Sequence, residues 1–284
     1  MKTPRTFLCV TTLIVLLGAA AATAADVAPQ ARDILSRARN SLITISALCK
    51  LDMGGSGLPA RMGRLGEAQE SNCGGLVIDA SGLTVVSYAA LNPMERLAGA
   101  LKLRMGGDGE AIKAKAELSR IQMRLEDGTE VPARLVLKDK ELDLAFLVPD
   151  PKEGDKVPQF SPVKLSVAAG VKELDDVVAI SRHGKDLGYQ PIVAVGQVAS
   201  LITKPRVMYD LSAATRPGSP VFLPDGRLLG VTINFSGGEG LASLAAREAL
   251  VLPAAEIAKL ADQARKAAAK KPKEPKKEST PEEK

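Results

Sequence analysis

Histidine, serine and cysteine are the side chains in this chain that could supply a catalytic base or a nucleophile. His183 is the single histidine of the 284 residues, and it lies in the segment SRHGKDLG. A serine, threonine or cysteine nucleophile needs such a base within hydrogen-bond reach, and nothing in the sequence places one beside His183. We therefore expect His183 to be a partly exposed loop residue. The spacing of acidic, histidine and cysteine residues indicates no metal set and no cofactor site.

The first 25 residues have the pattern of a secretory signal peptide. Lys2 and Arg5 precede the apolar run FLCVTTLIVLLG, and a small-residue cleavage site follows at 22–24. The apolar run is shorter than the ~20 residues that a membrane-spanning helix needs, so a membrane anchor is the weaker alternative. The sequence thus predicts export to the periplasm or the extracellular space.

The three cysteines are interpreted in that context. Cys9 lies in the signal region, so Cys49 and Cys73 remain after export. An even pair in an oxidising compartment favours a disulfide, and the two cysteines stand at the end of one predicted strand and the start of the next. Two buried free thiols are the alternative. Two cysteines and one distant histidine do not make a zinc site.

The basic charge of the chain is concentrated near its C-terminus. The chain has a formal charge of +5; the signal region holds two basic residues and residues 265–284 hold eight basic and four acidic ones, so 28 basic and 29 acidic residues remain between 26 and 264. The tail RKAAAKKPKEPKKESTPEEK has no apolar residue larger than Ala and is predicted to be disordered beyond the end of a helix. Both a weak contact with anionic polymer or lipid and a merely solvated extension are open interpretations. With 3% aromatic residues and no Trp, stacking on bases is not favoured, and we expect no specific nucleic-acid partner.

Between these ends the chain consists mostly of short apolar or alternating segments that end at Gly, Pro or Asp, which is typical of β-strands. The predicted strands are 41–50, 73–79, 83–89, 120–128, 130–139 and 142–149 in a first group, and 162–166, 176–181, 191–202, 206–211, 219–224 and 227–235 in a second. Two groups of six predict two β-barrels or one large sandwich. Helical periodicity precedes the first strand and follows residue 253, and residues 93–118 are predicted to be an inserted surface loop with some helix.

Four blocks of the sequence resemble, in order, a trypsin-like serine protease of the HtrA/Deg type. They are CGGLVIDASGLTVVSYAAL, RLEDGTEVPARLVLKDKELDLAFLVPD, DDVVAISRHGKDLGYQPIVAVGQVASL and RPGSPVFLPDGRLLGVTI. The resemblance implies an all-β domain at 26–264, with trypsin-like barrels at about 41–150 and 160–250, a short N-terminal helix and a longer C-terminal helix from about 253. We expect no peptide-binding PDZ module.

The same resemblance identifies the positions of the family's catalytic triad, and two of the three are substituted. The general-base histidine falls on Ala89, whereas the aspartate of the D-L-A-x-L block is kept as Asp143. In the G-N-S-G-G-P-L block an ungapped alignment puts Pro217 at the nucleophile, and Ser219 takes that place only if a deletion is allowed. Because proline has no backbone N–H, an oxyanion donor would be lost together with the nucleophile. We expect Asp143 to accept backbone N–H groups near the junction of the barrels.

This pattern predicts an exported, non-enzymatic domain that binds a protein or peptide partner in the cell envelope. In active relatives the cleft between the barrels binds an extended peptide partly by strand addition, and such binding does not require the triad. The alternative is an exported hydrolase that uses Ser219 or another nucleophile in a rearranged site.

Overall fold

The computed structural model describes residues 27–52, 67–105, 114–166, 170–235 and 248–270. The helices are α1 (Val27–Ala38), α2 (Tyr88–Leu91), α3 (Pro93–Met105) and α4 (Ala254–Ala268), with short 3₁₀ turns at Arg39–Ser41 and Lys185–Leu187. The strands are β1 (Leu42–Asp52), β2 (Gln69–Val77), β3 (Thr84–Ser87), β4 (Lys115–Arg124), β5 (Glu130–Asp139), β6 (Leu144–Pro149), β7 (Asp176–Arg182), β8 (Pro191–Ile202), β9 (Met208–Leu211), β10 (Pro220–Phe222), β11 (Leu228–Phe235) and β12 (Glu248–Pro253). The predicted signal peptide at 1–25 and the tail from 271 lie outside the described residues. In the described ranges no helix is both long enough and apolar enough to cross a membrane.

The strands form two closed antiparallel barrels. The first has the order β1-β2-β3-β6-β5-β4 and the second the order β10-β11-β12-β9-β8-β7. Closure gives each strand a neighbour on both sides over part of its length, so only short stretches of strand edge are left unpaired. The all-β, two-barrel fold predicted from the sequence is therefore confirmed.

Each barrel has its own apolar interior, and a third cluster joins the barrels to the terminal helices. The first barrel is filled by side chains such as Ile45, Val86 and Met123, and the second by side chains such as Val177, Val221 and Val251. All four residues of β3 are buried because Val86 faces its own barrel while Val85 belongs to the joining cluster. Successive side chains on a strand point to opposite faces, so β3 contributes to both cores.

The terminal helices tie the two barrels together. Helix α1 precedes the first barrel along the chain but packs on β7 and β8 of the second, and α4 follows the second barrel but packs on β5 and β6 of the first as well as on β11 and β12. At the end of α4 the Arg134 guanidinium donates to the Ala268 carbonyl at 2.9 Å, and Arg265 pairs with Asp79 at 3.0 Å. Each of the two terminal helices thus packs on the barrel that is more distant from it along the chain.

The second barrel departs from the sequence prediction in one strand. Residues 162–166 form no strand; the segment runs past the end of β2, where the Val163 N–H donates to the Val77 carbonyl at 2.9 Å. The sixth strand is instead β12, which lies between β11 and β9. The sequence predicts no strand between residue 235 and the helix from about 253. The predicted loop at 93–118 also contains more regular structure than expected, since α3 occupies 93–105 and β4 begins at Lys115.

Candidate functional site

Ala89, Asp143 and Pro217, the residues that the resemblance aligns with a catalytic triad, lie where the two barrels join. Local hydrogen bonds determine the orientation of Ala89 and Asp143. Ser87 ends β3 and caps α2, because its Oγ accepts the Ala90 N–H at 3.2 Å. This cap turns the chain so that Ala89 directs its backbone N–H at the Asp143 carboxylate, where it donates to Oδ1 at 2.7 Å. Asp143 itself has φ = 52°, a left-handed conformation that short polar residues tolerate. At the position of the family's base, the structure presents a methyl group and a backbone donor.

Asp143 is a buried carboxylate satisfied entirely by uncharged donors. Its side chain belongs to a residue that is 4% exposed, and no lysine, arginine or histidine of the described residues forms an ion pair with it. Oδ2 accepts the Ser87 hydroxyl at 2.7 Å and the backbone N–H of Asn234 at 2.8 Å, in addition to the Ala89 bond at Oδ1. A buried charge is tolerated only when it is hydrogen-bonded in this way. Since Asn234 belongs to β11, the carboxylate connects the first barrel to the second.

The loop at the nucleophile position folds as a tight turn. The Ser219 N–H donates to the Arg216 carbonyl at 2.9 Å, Pro217 occupies the second position and Gly218 the third with φ = 85°. Proline followed by a glycine of positive φ is the sequence of a type II β-turn. A Cβ on Gly218 would lie 2.7 Å from the Gly74 carbonyl oxygen, so the close approach to β2 also requires glycine.

This turn leaves no free N–H group at three successive positions. Pro217 has none, the Gly218 N–H donates to the Thr232 carbonyl at 2.7 Å, and the Ser219 N–H closes the turn. An oxyanion hole needs donors that are aimed at a developing charge and not already engaged. The arrangement binds the loop to β11 and offers no such donor from these positions.

A cleft of about 260 Å³ lies between the barrels beside this turn. Its lining combines residues from both barrels: Thr44, Asn72, Cys73, Gly74, Ala90, Arg182, His183, Gly184, Arg216 and Pro217. The half-buried His183 is in the β7–β8 connection, which its N–H helps to close by donating to the Gln190 carbonyl at 2.8 Å. The structure therefore brings His183 to the same cleft as Pro217, a proximity that nothing in the sequence indicated.

The fallback nucleophile Ser219 does not share this cleft. Ser219 is 4% exposed and lines a much smaller cavity with Gly75 and Pro220, a cavity that His183 does not line. Since a hydroxyl nucleophile needs its base in hydrogen-bond contact, these two residues do not form a catalytic pair in this structure.

Sequence reasoning missed Arg182 as a site residue. Its side chain is 9% exposed, and its guanidinium forms an ion pair with Glu126 while donating to the carbonyls of Arg39 at 3.0 Å, Leu42 at 3.3 Å and Tyr189 at 3.2 Å. An arginine with this many fixed acceptors holds one orientation. The signal was weak because a single arginine at the end of a strand is a common feature of solvent-exposed turns.

The predicted disulfide between Cys49 and Cys73 is wrong for this structure, in which both are free thiols. The register pairs Cys49 with Gln69 and Cys73 with Ile45, so the two cysteines are four residues apart along the ladder. At about 3.3 Å per residue this is roughly 13 Å, well beyond the Cα separations that disulfides take. The two predicted strands do pair with each other, but their register keeps the two cysteines apart.

The environment of the two thiols keeps them protonated. Cys49 is fully buried beside Leu91, whose carbonyl accepts the thiol at 3.3 Å, and burial raises the Cys49 pKa. Burial, with smaller contributions from Cys49 and the Asp143 charge, raises the pKa of Cys73 to about 12. Because the thiolate is the reactive form, Cys73 lies in the cleft with His183 as an unactivated thiol.

Comparison with known proteins agrees with this architecture. The family described as Trypsin-like peptidase domain matches residues 105–231, a range that includes Asp143 and the turn at 216–219 and begins after Ala89. A search of curated proteins finds no match. The family match and the two six-stranded barrels together establish a trypsin-like fold.

Replacing Asp143 by Asn is expected to destabilise the fold. The amide nitrogen would face a hydrogen-bond donor, and the charge-assisted bonds to Ser87, Ala89 and Asn234 would be weakened, at a cost of about 2 kcal/mol or more. Urea denaturation measures the change. Asp150→Asn is the matched control, because Asp150 is exposed and its ion pair with Arg134 spans 3.6 Å, which contributes less than ~1 kcal/mol. Equal stability of the two variants would contradict the role given to Asp143.

Thiol labelling is expected to find two free cysteines. A chain that begins at residue 26, purified under oxidising conditions and unfolded without reductant, should incorporate two labels, and its Cys73→Ser variant one. In the folded state at neutral pH labelling should be slow, because Cys49 is fully buried and the pKa of Cys73 is raised to about 12. Absence of label in the unfolded oxidised protein would restore the disulfide.

Proposed function

We propose that this chain is an exported, non-enzymatic relative of the HtrA/Deg proteases, and that its cleft between the barrels binds a peptide or protein partner in the cell envelope. The observation that carries the proposal is the hydrogen bonding of Asp143. In a triad this carboxylate would orient an imidazole, whereas here its donors are the Ser87 hydroxyl and the backbone N–H groups of Ala89 and Asn234, and no histidine of the described residues is among them. A carboxylate in this arrangement stabilises the junction of the barrels and has no base to orient.

The geometry of the nucleophile loop supports the same interpretation over the alternative of a rearranged hydrolase. That alternative needs Ser219 beside a base and a free oxyanion donor. Ser219 instead lines a different cavity from His183, and the N–H groups of Gly218 and Ser219 are engaged within the protein. Cys73 lies in the same cleft as His183, but its raised pKa argues against a cysteine nucleophile.

A partly unpaired strand beside Asp143 supports peptide binding. β11 extends past Val231, the last of its residues that pairs with β10. Beyond that point the Thr232 N–H donates to the Ser219 carbonyl and the Thr232 carbonyl accepts the Gly218 N–H. The Asn234 N–H donates to Asp143. Phe235 has no strand partner on that side among the described residues. An extended peptide can add to such a short strand edge by main-chain hydrogen bonds.

The protein is expected to hydrolyse neither proteins nor small esters and not to react with a fluorophosphonate probe. The double variant Ala89→His with Pro217→Ser should label weakly at best, and each single variant not at all, because nucleophile and base act as a unit and one missing oxyanion donor alone costs about 10²–10³ in rate. Labelling followed by peptide mapping is the measurement. Stoichiometric labelling of the unmutated protein, lost in Ser219→Ala, would overturn the non-enzymatic assignment.

Peptide binding is expected to depend on the open cleft. Peptides selected from a random library on the unmodified protein should lose most of their affinity for Gly74→Leu, because Gly74 lines the cleft and a Cβ there meets no heavy atom within 4 Å. The added side chain therefore fills the cleft without straining β2. Gly99→Leu in α3, where a Cβ also meets nothing within 4 Å, is the matched control. Selection of no cleft-dependent peptide would count against the binding function.

A further inference from the structure

Four arginines follow the seam between the two barrels. Besides the cleft of about 260 Å³ there is a neighbouring cavity of about 230 Å³, and Thr44 and Arg182 line both. Arg39 and Arg124 contribute to the second cavity and Arg216 to the cleft. The seam therefore has positive side chains over the length of both cavities.

The arginines differ in how far their charge is neutralised. Glu126 lies between Arg39 and Arg182 and forms an ion pair with each, so one carboxylate serves two guanidinium groups. Arg124 pairs with Glu130 at 2.9 Å and lies over the Tyr189 ring at 4.8 Å. In contrast, Arg216 makes only a 3.5 Å contact with a backbone carbonyl, and no carboxylate of the described residues forms an ion pair with it.

The cleft beside Arg216 contains no carboxylate of its own. Its lining has two arginines and His183 but neither aspartate nor glutamate. Asp143 is the buried acid that the structure describes, and it lies outside the lining, but its charge reaches Cys73 in the cleft. The two guanidinium groups therefore act against one carboxylate, which three uncharged donors stabilise. Arg216 is exposed, so solvent and salt screen its charge in part, whereas the Arg182 side chain beside it is 9% exposed and acts in a medium of lower dielectric.

We infer that this cleft binds a carboxylate of the peptide partner, held by the Arg216 guanidinium with the fixed Arg182 beside it. The inference depends on the proposed function, since it names the chemical group by which that peptide is recognised. A guanidinium matches a carboxylate by two parallel hydrogen bonds, and the cleft has the volume of several water molecules at about 30 Å³ each, enough for a carboxylate group. The polar side chains of Thr44 and Asn72 line the same space.

Arg216 is also preorganised for this contact. It precedes Pro217, and a residue before proline is restricted to extended backbone conformations. Its carbonyl is fixed by the Ser219 N–H at 2.9 Å. The backbone that presents the guanidinium therefore loses little further freedom when a ligand binds, which lowers the entropic cost of association.

The test uses fluorescence anisotropy with the unmodified chain from residue 26, Arg216→Gln and Arg227→Gln. Arg227 is the matched control, because it is an exposed arginine in the β10–β11 turn, paired with Asp225 at 2.7 Å, and lines neither cavity. The probes are labelled eight-residue peptides with a central Glu or Gln and an amidated end, and neutral peptides with a free or amidated C-terminus. Heparin is included to represent sulfated polysaccharides.

We expect one of the two carboxylate-bearing peptides to bind, its uncharged counterpart to bind about tenfold more weakly, and Arg216→Gln to lose a similar factor, because the guanidinium–carboxylate contact is charge-assisted and tenfold corresponds to about 1.4 kcal/mol. Arg227→Gln should stay within about twofold, and binding should weaken with added salt. The two peptide arms show whether the carboxylate is a side chain or a C-terminus.

Two results would overturn the inference. The first leaves the proposed function in place, and the second removes the proposed function as well. If peptides bind the cleft but neither loss of the carboxylate nor Arg216→Gln changes their affinity, peptide binding stands and the carboxylate assignment fails. If no peptide binds, or heparin alone binds through Arg216, both the peptide partner and its carboxylate are wrong.

Discussion

The junction of the barrels depends on one buried carboxylate that has no cationic partner among the described residues. A carboxylate at 4% exposure needs nearby donors that replace the water it has lost. Ser87 and Ala89 supply donors from the first barrel, and Asn234 supplies one from the second. Asp143 therefore accepts all three hydrogen bonds only when the barrels are docked in one relative position. Asp143 also has a left-handed backbone conformation, which a short polar residue tolerates.

The bond that Asp143 accepts from position 89 comes from the backbone N–H, which any residue other than proline presents. Ala89 therefore keeps the junction intact without a polar side chain. At position 218, by contrast, glycine is needed because a Cβ would collide with the Gly74 carbonyl. The backbone requirements of the two-barrel architecture are satisfied at Ala89 and Gly218, and neither Ala89 nor Pro217 has a side chain that can act as a base or a nucleophile.

The parts of this architecture that could be predicted from the sequence are those determined locally or by a family resemblance. The first barrel and the position of Asp143 follow from alternating apolar segments and a distinctive block. β12 was missed because Glu248, Ala249 and Leu250 are good helix formers, and pairing with β11 and β9 outweighs that propensity. Strand register is a long-range property, so the separation of Cys49 from Cys73 could not be read from spacing. The approach of His183 to the cleft depends in turn on how the two barrels dock.

The turn at 216–219 determines both which backbone N–H groups are free and where the Arg216 side chain begins. A catalytic loop must leave its N–H groups free for a developing oxyanion, whereas a proline–glycine turn engages them and becomes rigid. The turn is therefore a fixed corner whose first residue is Arg216. With Arg182 fixed by Glu126 and three carbonyls, the cleft contains two guanidinium groups on well-defined backbone. A site of this kind fits the proposed binding of a charged group.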